Sequence, residues 1–262
     1  MYLTALPVFN EVGHVEDVLR EVLEHADRVL VVDDGSTDGT SERLVAFVAA
    51  APAGRARVVR HPSNRGYGAA LATAFAETLA GDWDGLVTID CDGQHQPRLI
   101  PRFVKAAKDP TVAADIVSGS RFLEPTLSPT GVTPPLERRR VNETITAELN
   151  RRLGLSLTDA FCGFKAYTRR ALESVHVTET GYAMPLEVWV QAAAAGLRIV
   201  EMPVPLVYLD LARSFGAALD DAGTRLSHYR SVLGRAMQAA DIEGPCQRFE
   251  APTEPLSSPE RG

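Results

Sequence analysis

Val87-Thr88-Ile89-Asp90-Cys91-Asp92-Gly93-Gln94-His95 sets two carboxylates and a carboxamide at alternate positions directly after an apolar run. Hard divalent cations such as Mg²⁺ and Mn²⁺ take oxygen ligands, so Asp90, Asp92 and Gln94 could converge on one ion with water and ligand phosphates. Taken alone, an Asp-x-Asp is also an ordinary turn, here before a helix opened by Pro97. His95 reads as a residue that fixes this loop rather than as a ligand. A second acidic run, Asp33-Asp34-Gly35-Ser36-Thr37-Asp38-Gly39-Thr40, suits a loop above a strand, with Thr37 or Asp38 able to cap the next helix. It is no EF-hand, because the twelfth position from Asp34 is Val45 where a bidentate glutamate is needed. Gly66-Tyr67-Gly68-Ala69-Ala70-Leu71 narrowly misses a dinucleotide fingerprint, ending in Leu71 where a third small residue belongs.

The elements that must position these residues alternate. Strands are expected at Tyr2–Pro7, Arg28–Asp33, Ala56–Arg60, Leu86–Asp90, Asp115–Ser118, Phe161–Tyr167 and Arg198–Val204, several of them short continuous apolar runs. Between them fall helices: one carrying Val15, Leu19 and Val22 at helical spacing, then others from Thr40, over Tyr67–Ala80, from Pro97, over Arg138–Leu153, over Leu186–Ala195 and over Leu226–Ala239. This rhythm predicts an α/β fold with a mostly parallel sheet, in which ligands gather beyond the strands' carboxyl ends, where the acidic clusters lie. Leu123–Pro135, rich in Pro, Thr, Ser and Gly, reads as a loop that closes over substrate. Residues 1–240 are expected to form one catalytic domain, and the proline-rich 241–262 a disordered tail.

Composition narrows the partners. A chain of 262 residues with 45% hydrophobic content can bury one substantial core. The net charge of −7 argues against nucleic acid, so an anionic ligand must meet local cations or a metal. Cys91, Cys162 and Cys246 form neither a disulfide framework nor a zinc knuckle, and the first two read as small buried fillers in a reducing, cytoplasmic setting. Neither a signal peptide nor a transmembrane run is recognisable, so any contact with lipid is expected to be peripheral, at the inner membrane face. Oligomeric state is not legible.

In order, Pro7-x-x-Asn10-Glu11, Asp33-Asp34-Gly35-Ser36-x-Asp38-Gly39-Thr40, Asn64-x-Gly66-x-Gly68-x-Ala70, Asp90-x-Asp92-x-Gln94-His95-x-Pro97 and Gly119-Ser120-Arg121 resemble family 2 glycosyltransferases, particularly the dolichol-phosphate (polyprenyl-phosphate) mannosyltransferase type. The resemblance continues through Asp159-x-x-x-Gly163-Phe164, Gly181-Tyr182, Glu187 and Pro203. It implies a GT-A fold, a Rossmann-like sheet flanked by helices, with a nucleoside-diphosphate-sugar donor and a divalent metal, Mg²⁺ or Mn²⁺. By the same match Pro7, Glu11, Asp34 and Gly66 would hold the nucleotide, with Phe9 offering a stacking face where a tyrosine is usual. Asp90 would lie near the donor sugar and the metal's shell, while Asp92 and Gln94 would hold the metal. Arg121, with Arg139 or Arg140, would face an acceptor phosphate, for which arginine's planar fork is suited.

The implied reaction is inverting transfer of a hexose, mannose or glucose, to a polyprenyl or dolichyl phosphate, with Asp90, Asp92 and Arg121 catalytic. A hydroxyl acceptor would instead need a base, for which Asp159 and Glu187 are the candidates. One departure stands out: after Arg213-Ser214, lysines near the diphosphate are replaced by Phe215-Gly216-Ala217-Ala218-Leu219-Asp220-Asp221. Arg213 or Arg225 would have to compensate, failing which the chain would be a degenerate nucleotide-sugar-binding module. Asp90-Cys91-Asp92-Gly93 also resembles a haloacid dehalogenase nucleophile loop, but it lies mid-chain and continues into Gln94. A sugar nucleotidyltransferase is disfavoured because Pro7 to Glu11 replace its glycine-rich basic loop.

Overall fold

The computed structural model describes residues 1–124, 135–207 and 217–242. Arg213, most of the expected closing loop at 123–135 and residues 243–262 of the expected tail lie outside the described residues.

Strands β1 (Tyr2–Val8), β2 (Val29–Asp33), β3 (Ala56–Arg60), β4 (Gly85–Thr88), β5 (Ile116–Ser120), β6 (Lys165–Thr168) and β7 (Ile199–Pro203) form one 7-stranded sheet in the order β3-β2-β1-β4-β6-β5-β7. β6 pairs antiparallel with β4 and β5, and every other pairing is parallel. Side chains alternate across the sheet and build a core on each face. Leu30 and Val32 join Ile145, Leu149, Trp189 and Leu233 under α3 (Tyr67–Ala80), α5 (Leu136–Leu153), α7 (Met184–Ala194) and α8 (Ala222–Ala239). Val29 and Val31 join Leu19, Leu44 and Phe103 under α1 (Val15–His25), α2 (Thr40–Ala50) and α4 (Ile100–Lys108). Central strands covered on both faces have no polar side to show, which is why they read as unbroken apolar runs.

Three elements differ from expectation. The strand expected over Phe161–Tyr167 begins only at Lys165, and Phe161–Phe164 instead form a turn at the sheet's functional edge. Pro97 opens a 3₁₀ turn, Pro97–Leu99, and the α-helix starts at Ile100. The short helix α6 (Arg169–Ser174), capped by the Thr168 hydroxyl, was not anticipated. Because β6 runs against its neighbours, its start lies at the carboxyl ends of β1, β2, β4 and β5, bringing Asp159 to Gly163 beside the acidic loops.

Candidate active site

β4 ends at Thr88, whose hydroxyl donates to the Gly163 carbonyl at 2.8 Å and ties the acidic loop to the turn before β6. Beyond it both Asp90 oxygens are held: Oδ1 accepts from the Tyr67 hydroxyl at 2.9 Å, and Oδ2 lies 3.2 Å from His95 Nε2. His95 packs edge-on against Phe164, so it fixes the loop as expected. Burial alone would raise the Asp90 pKa, but the hydrogen bonds from His95 and Tyr67 and the charge of Lys165 outweigh it, and Asp90 is held below its usual range. Buried Lys165 donates to the Cys162 carbonyl beneath this site. Burial pushes the Cys162 thiol up to about 12, consistent with an inert filler. Asp92 Oδ1 accepts from the Gln94 amide at 3.0 Å across a turn that Gly93 permits with φ +70°.

Tyr67 and Gly163 were missed as site residues. A Cβ on Gly163 would overlap both carboxylate oxygens of Asp90. Gly163→Ala is therefore expected to displace Asp90 and lower turnover by roughly 10- to 100-fold, the scale expected when a reacting geometry shifts by about 1 Å. Steady-state rates beside a thermal melt would separate this from unfolding. The signal for Gly163 was its place in the Asp159-x-x-x-Gly163 motif, whereas Tyr67 carried none beyond lying between two glycines.

Across the sheet's edge, the segment after β1 is laced to the loop after β2. The Asn10 amide donates to Ser36 Oγ at 3.0 Å, the Thr37 amide to Asn10 Oδ1 at 2.8 Å and the Glu11 amide to Thr40 Oγ1 at 2.9 Å. Asp34 accepts from the Arg65 and Gly66 amides at 2.9 and 2.7 Å and sits 2.6 Å from His61 Nδ1. It thus anchors the start of α3 as well as facing the cavity. Gly66, at φ +103°, and Gly68 are required by packing, since a Cβ on either would overlap the backbone of residues 179–180.

The third wall is cationic. Arg121 forks onto fully buried Asp159, Nε to Oδ2 at 2.6 Å and Nη2 to Oδ1 at 2.9 Å. Burial opposes ionisation of both, yet their mutual charge holds Asp159 below and Arg121 above its usual pKa. Asp159 is therefore engaged as the ion-pair partner of Arg121. Glu187 is engaged as well: it accepts from the Thr178 and Glu179 amides, both at 2.8 Å, and holds the loop against which α3 packs. On α5, Arg138 and Arg139 line the cavity while Arg140 does not, because about 3.6 residues per turn carry it round to the outer face. Of the two arginines expected as alternatives at an acceptor phosphate, Arg139 is the one that lines the cavity. Arg225 of α8 also lines the cavity, with Nη1 donating to the Leu219 carbonyl at 2.7 Å. Asp221 accepts from the Thr224 amide as the N-cap of α8, so this acidic segment builds the helix that presents Arg225.

These walls enclose one cavity of about 980 Å³, which Pro7, Phe9, Glu11, Asp34, Gly66, Asp90, Asp92, Gln94 and Arg121 all line. Tyr182, stacked on Tyr67 at 5.7 Å, and Tyr229, stacked on Phe161 at 4.9 Å, close it on the side of α7 and α8. Trp189, by contrast, is in the core. Among the described residues no group of three or more His, Cys, Asp and Glu side chains could hold a metal unaided. The Asp92 carboxylate and the Gln94 amide at an open cavity, with Asp90 close by, instead fit a hard cation whose remaining ligands are phosphate and water oxygens.

Residues 4–175 match the sequence profile of Glycosyl transferase family 2. The chain is 33% identical over 220 residues to the undecaprenyl-phosphate mannosyltransferase of Micrococcus luteus, covering 81% of this chain and 86% of that protein. It is 31% identical over 254 residues to the polyprenol monophosphomannose synthase of Mycolicibacterium smegmatis, covering 92% and 90%. Glucosyl-3-phosphoglycerate synthase from Mycobacterium tuberculosis, solved with Mn²⁺, uridine-diphosphate-glucose and phosphoglyceric acid, has the same fold at TM-score 0.65 and 22% identity, covering 92% of this chain and 80% of that one.

Proposed function

The chain belongs to glycosyl transferase family 2, with the GT-A fold, and from that premise we propose that it transfers a hexose, mannose or glucose, from a nucleoside-diphosphate sugar to a polyprenyl phosphate. The observation that carries this reading is the single cavity in which Asp90, Asp92 and Gln94 face Arg121, Arg138 and Arg139. Such a site has a place for a leaving diphosphate and for an incoming anion. The names of the two relatives, both polyprenyl-phosphate enzymes, support the acceptor.

In this mechanism Pro7, Phe9, Glu11 and Asp34 receive the nucleotide. Asp92 and Gln94 would hold Mg²⁺ or Mn²⁺, which supplies positive charge against the leaving diphosphate. Asp90, ionised and pinned by Tyr67 and His95, faces the sugar and favours the positive charge that develops at its anomeric carbon. Arg121, with Arg138 and Arg139, sets the acceptor phosphate so that its oxygen attacks that carbon from the face opposite the diphosphate. One C–O bond forms as the other breaks, and a single displacement inverts the configuration. The acceptor oxygen is already anionic, so no base is needed. The engagement of Asp159 and Glu187 within the protein favours this acceptor over a hydroxyl.

Purified protein incubated with labelled nucleotide sugars, Mn²⁺ and a panel of acceptors is expected to glycosylate polyprenyl phosphate, to stop on chelation and to recover when Mn²⁺ is restored. Donor binding without transfer or donor hydrolysis would overturn catalysis in favour of a binding module. Transfer only to a hydroxyl would overturn the acceptor.

A further inference from the structure

A polyprenyl phosphate lies in a bilayer, and among the described residues no helix is long and apolar enough to cross one. Transfer to such an acceptor brings the cavity mouth to the lipid surface. Two exposed large apolar side chains, Phe9 and Tyr182, 41% and 42% exposed, line the cavity, and a third, Leu136, at 69%, opens α5 two residues before cavity-lining Arg138. Leu136 and Arg140, four residues apart, share one outward face of that helix. Arg139 is paired with Glu143 at 2.7 Å, while no ion pair engages Arg140 among the described residues. Over the first two turns of α5, Arg138, Arg139 and Arg140 outnumber Glu137 and Glu143, a local excess of positive charge in a chain whose net charge is −7.

We propose that the first turns of α5, centred on Leu136 and Arg140, are the docking surface for an anionic phospholipid bilayer. Arg138 and Arg139 serve the cavity, and Arg140 one turn round the helix serves the surface of the membrane. Basic side chains are drawn to anionic headgroups within a Debye length, and an adjacent leucine can enter the headgroup boundary. The proposal rests on the acceptor reading above for its purpose, but the surface can be tested without it.

Sedimentation with vesicles of phosphatidylcholine alone, or with a third phosphatidylglycerol, at about 0.15 M salt is the test. The wild-type protein is expected to favour the anionic vesicles, Arg140→Gln to lower that partition about fivefold, and Arg140→Glu and Leu136→Asp to lower it about tenfold or more. Leu136→Asp should keep its rate with a short, water-soluble prenyl phosphate and lose it with a vesicle-embedded acceptor. Equal binding of the wild-type protein to both vesicles, or variants that partition like it, would overturn the proposal. Because partition is read without turnover, a failure of the acceptor reading leaves the vesicle result standing and the two failures are told apart. Thermal melts of the variants guard against unfolding, which an exposed helix-end position is not expected to cause.

Discussion

Asp92→Asn is expected to lower turnover by about 10²–10³-fold with the fold intact, the scale of removing one preorganised electrostatic group from an active site. Asparagine keeps an oxygen in the place of Oδ1, so the hydrogen bond from the Gln94 amide that shapes the turn survives. What is lost is the negative charge, half of the carboxylate complement from this loop. An amide is a weaker partner for a hard cation, so the apparent affinity for Mn²⁺ should fall together with the rate, and high Mn²⁺ should restore part of it. Initial rates over a Mn²⁺ titration at saturating donor would measure both effects. If Asp92→Asn retains more than a tenth of wild-type turnover at low Mn²⁺, Asp92 does not hold the metal. Asp90→Asn is expected to fail differently, because Asp90 is already engaged by Tyr67 and His95 and faces the sugar: its loss should not be repaired by added metal.

Legibility followed the range of the interaction. β2 and α3 were readable because the unbroken apolar run Val29–Val32 marks a strand buried on both faces and an alanine-rich run between glycines marks a helix. Phe161–Phe164 were misread for the same reason in reverse: they are as apolar as a strand, but they form the turn beside Asp90 where the sheet changes direction. That Asp90, Asp92 and Gln94 would share one loop at the cavity was legible because their spacing is local. Tyr67 and Gly163 were not, since each acts on Asp90 from a distant part of the chain and its effect depends on contacts that local spacing does not reveal. Arg139 and Arg140 could not be told apart without the rotation of α5 about its axis, which the core positions Val141, Ile145 and Leu149 decide. Asp220 and Asp221 looked like lost phosphate-binding charge, and the Asp221 cap shows how an acidic pair can serve a nearby arginine through the backbone.

Arg121→Met should be the most damaging change, because it removes a cavity cation and strands a buried carboxylate. Asp159 is fully buried and its principal charged partner is Arg121, so breaking the pair should cost about 3–5 kcal/mol at neutral pH. At roughly 2–4 °C per kcal/mol for a chain of this size, the melting temperature should drop by about 6–20 °C. The sign of the pH dependence separates this cause from generic damage. In the wild-type protein Asp159 is held below its unfolded pKa, so its stabilisation is present above about pH 4 and is lost as pH falls through the depressed folded value. In Arg121→Met only the hydrogen bonds from Asn142 and two backbone amides still oppose burial, so the folded pKa rises, the variant is relieved as pH falls and its deficit against the wild-type protein narrows. Urea unfolding at pH 7 and pH 5 reads this directly, and a deficit that is constant or widens towards pH 5 would refute it. Asp159→Leu added to Arg121→Met removes the stranded charge and should recover much of the stability, as replacing a whole buried pair by apolar groups often does. It should recover none of the ~10²–10³-fold loss of transfer, because the acceptor phosphate still lacks its fork. Stability that returns without activity would assign Arg121 to the acceptor as well as to the fold; activity returning with stability would reduce it to a structural partner of Asp159.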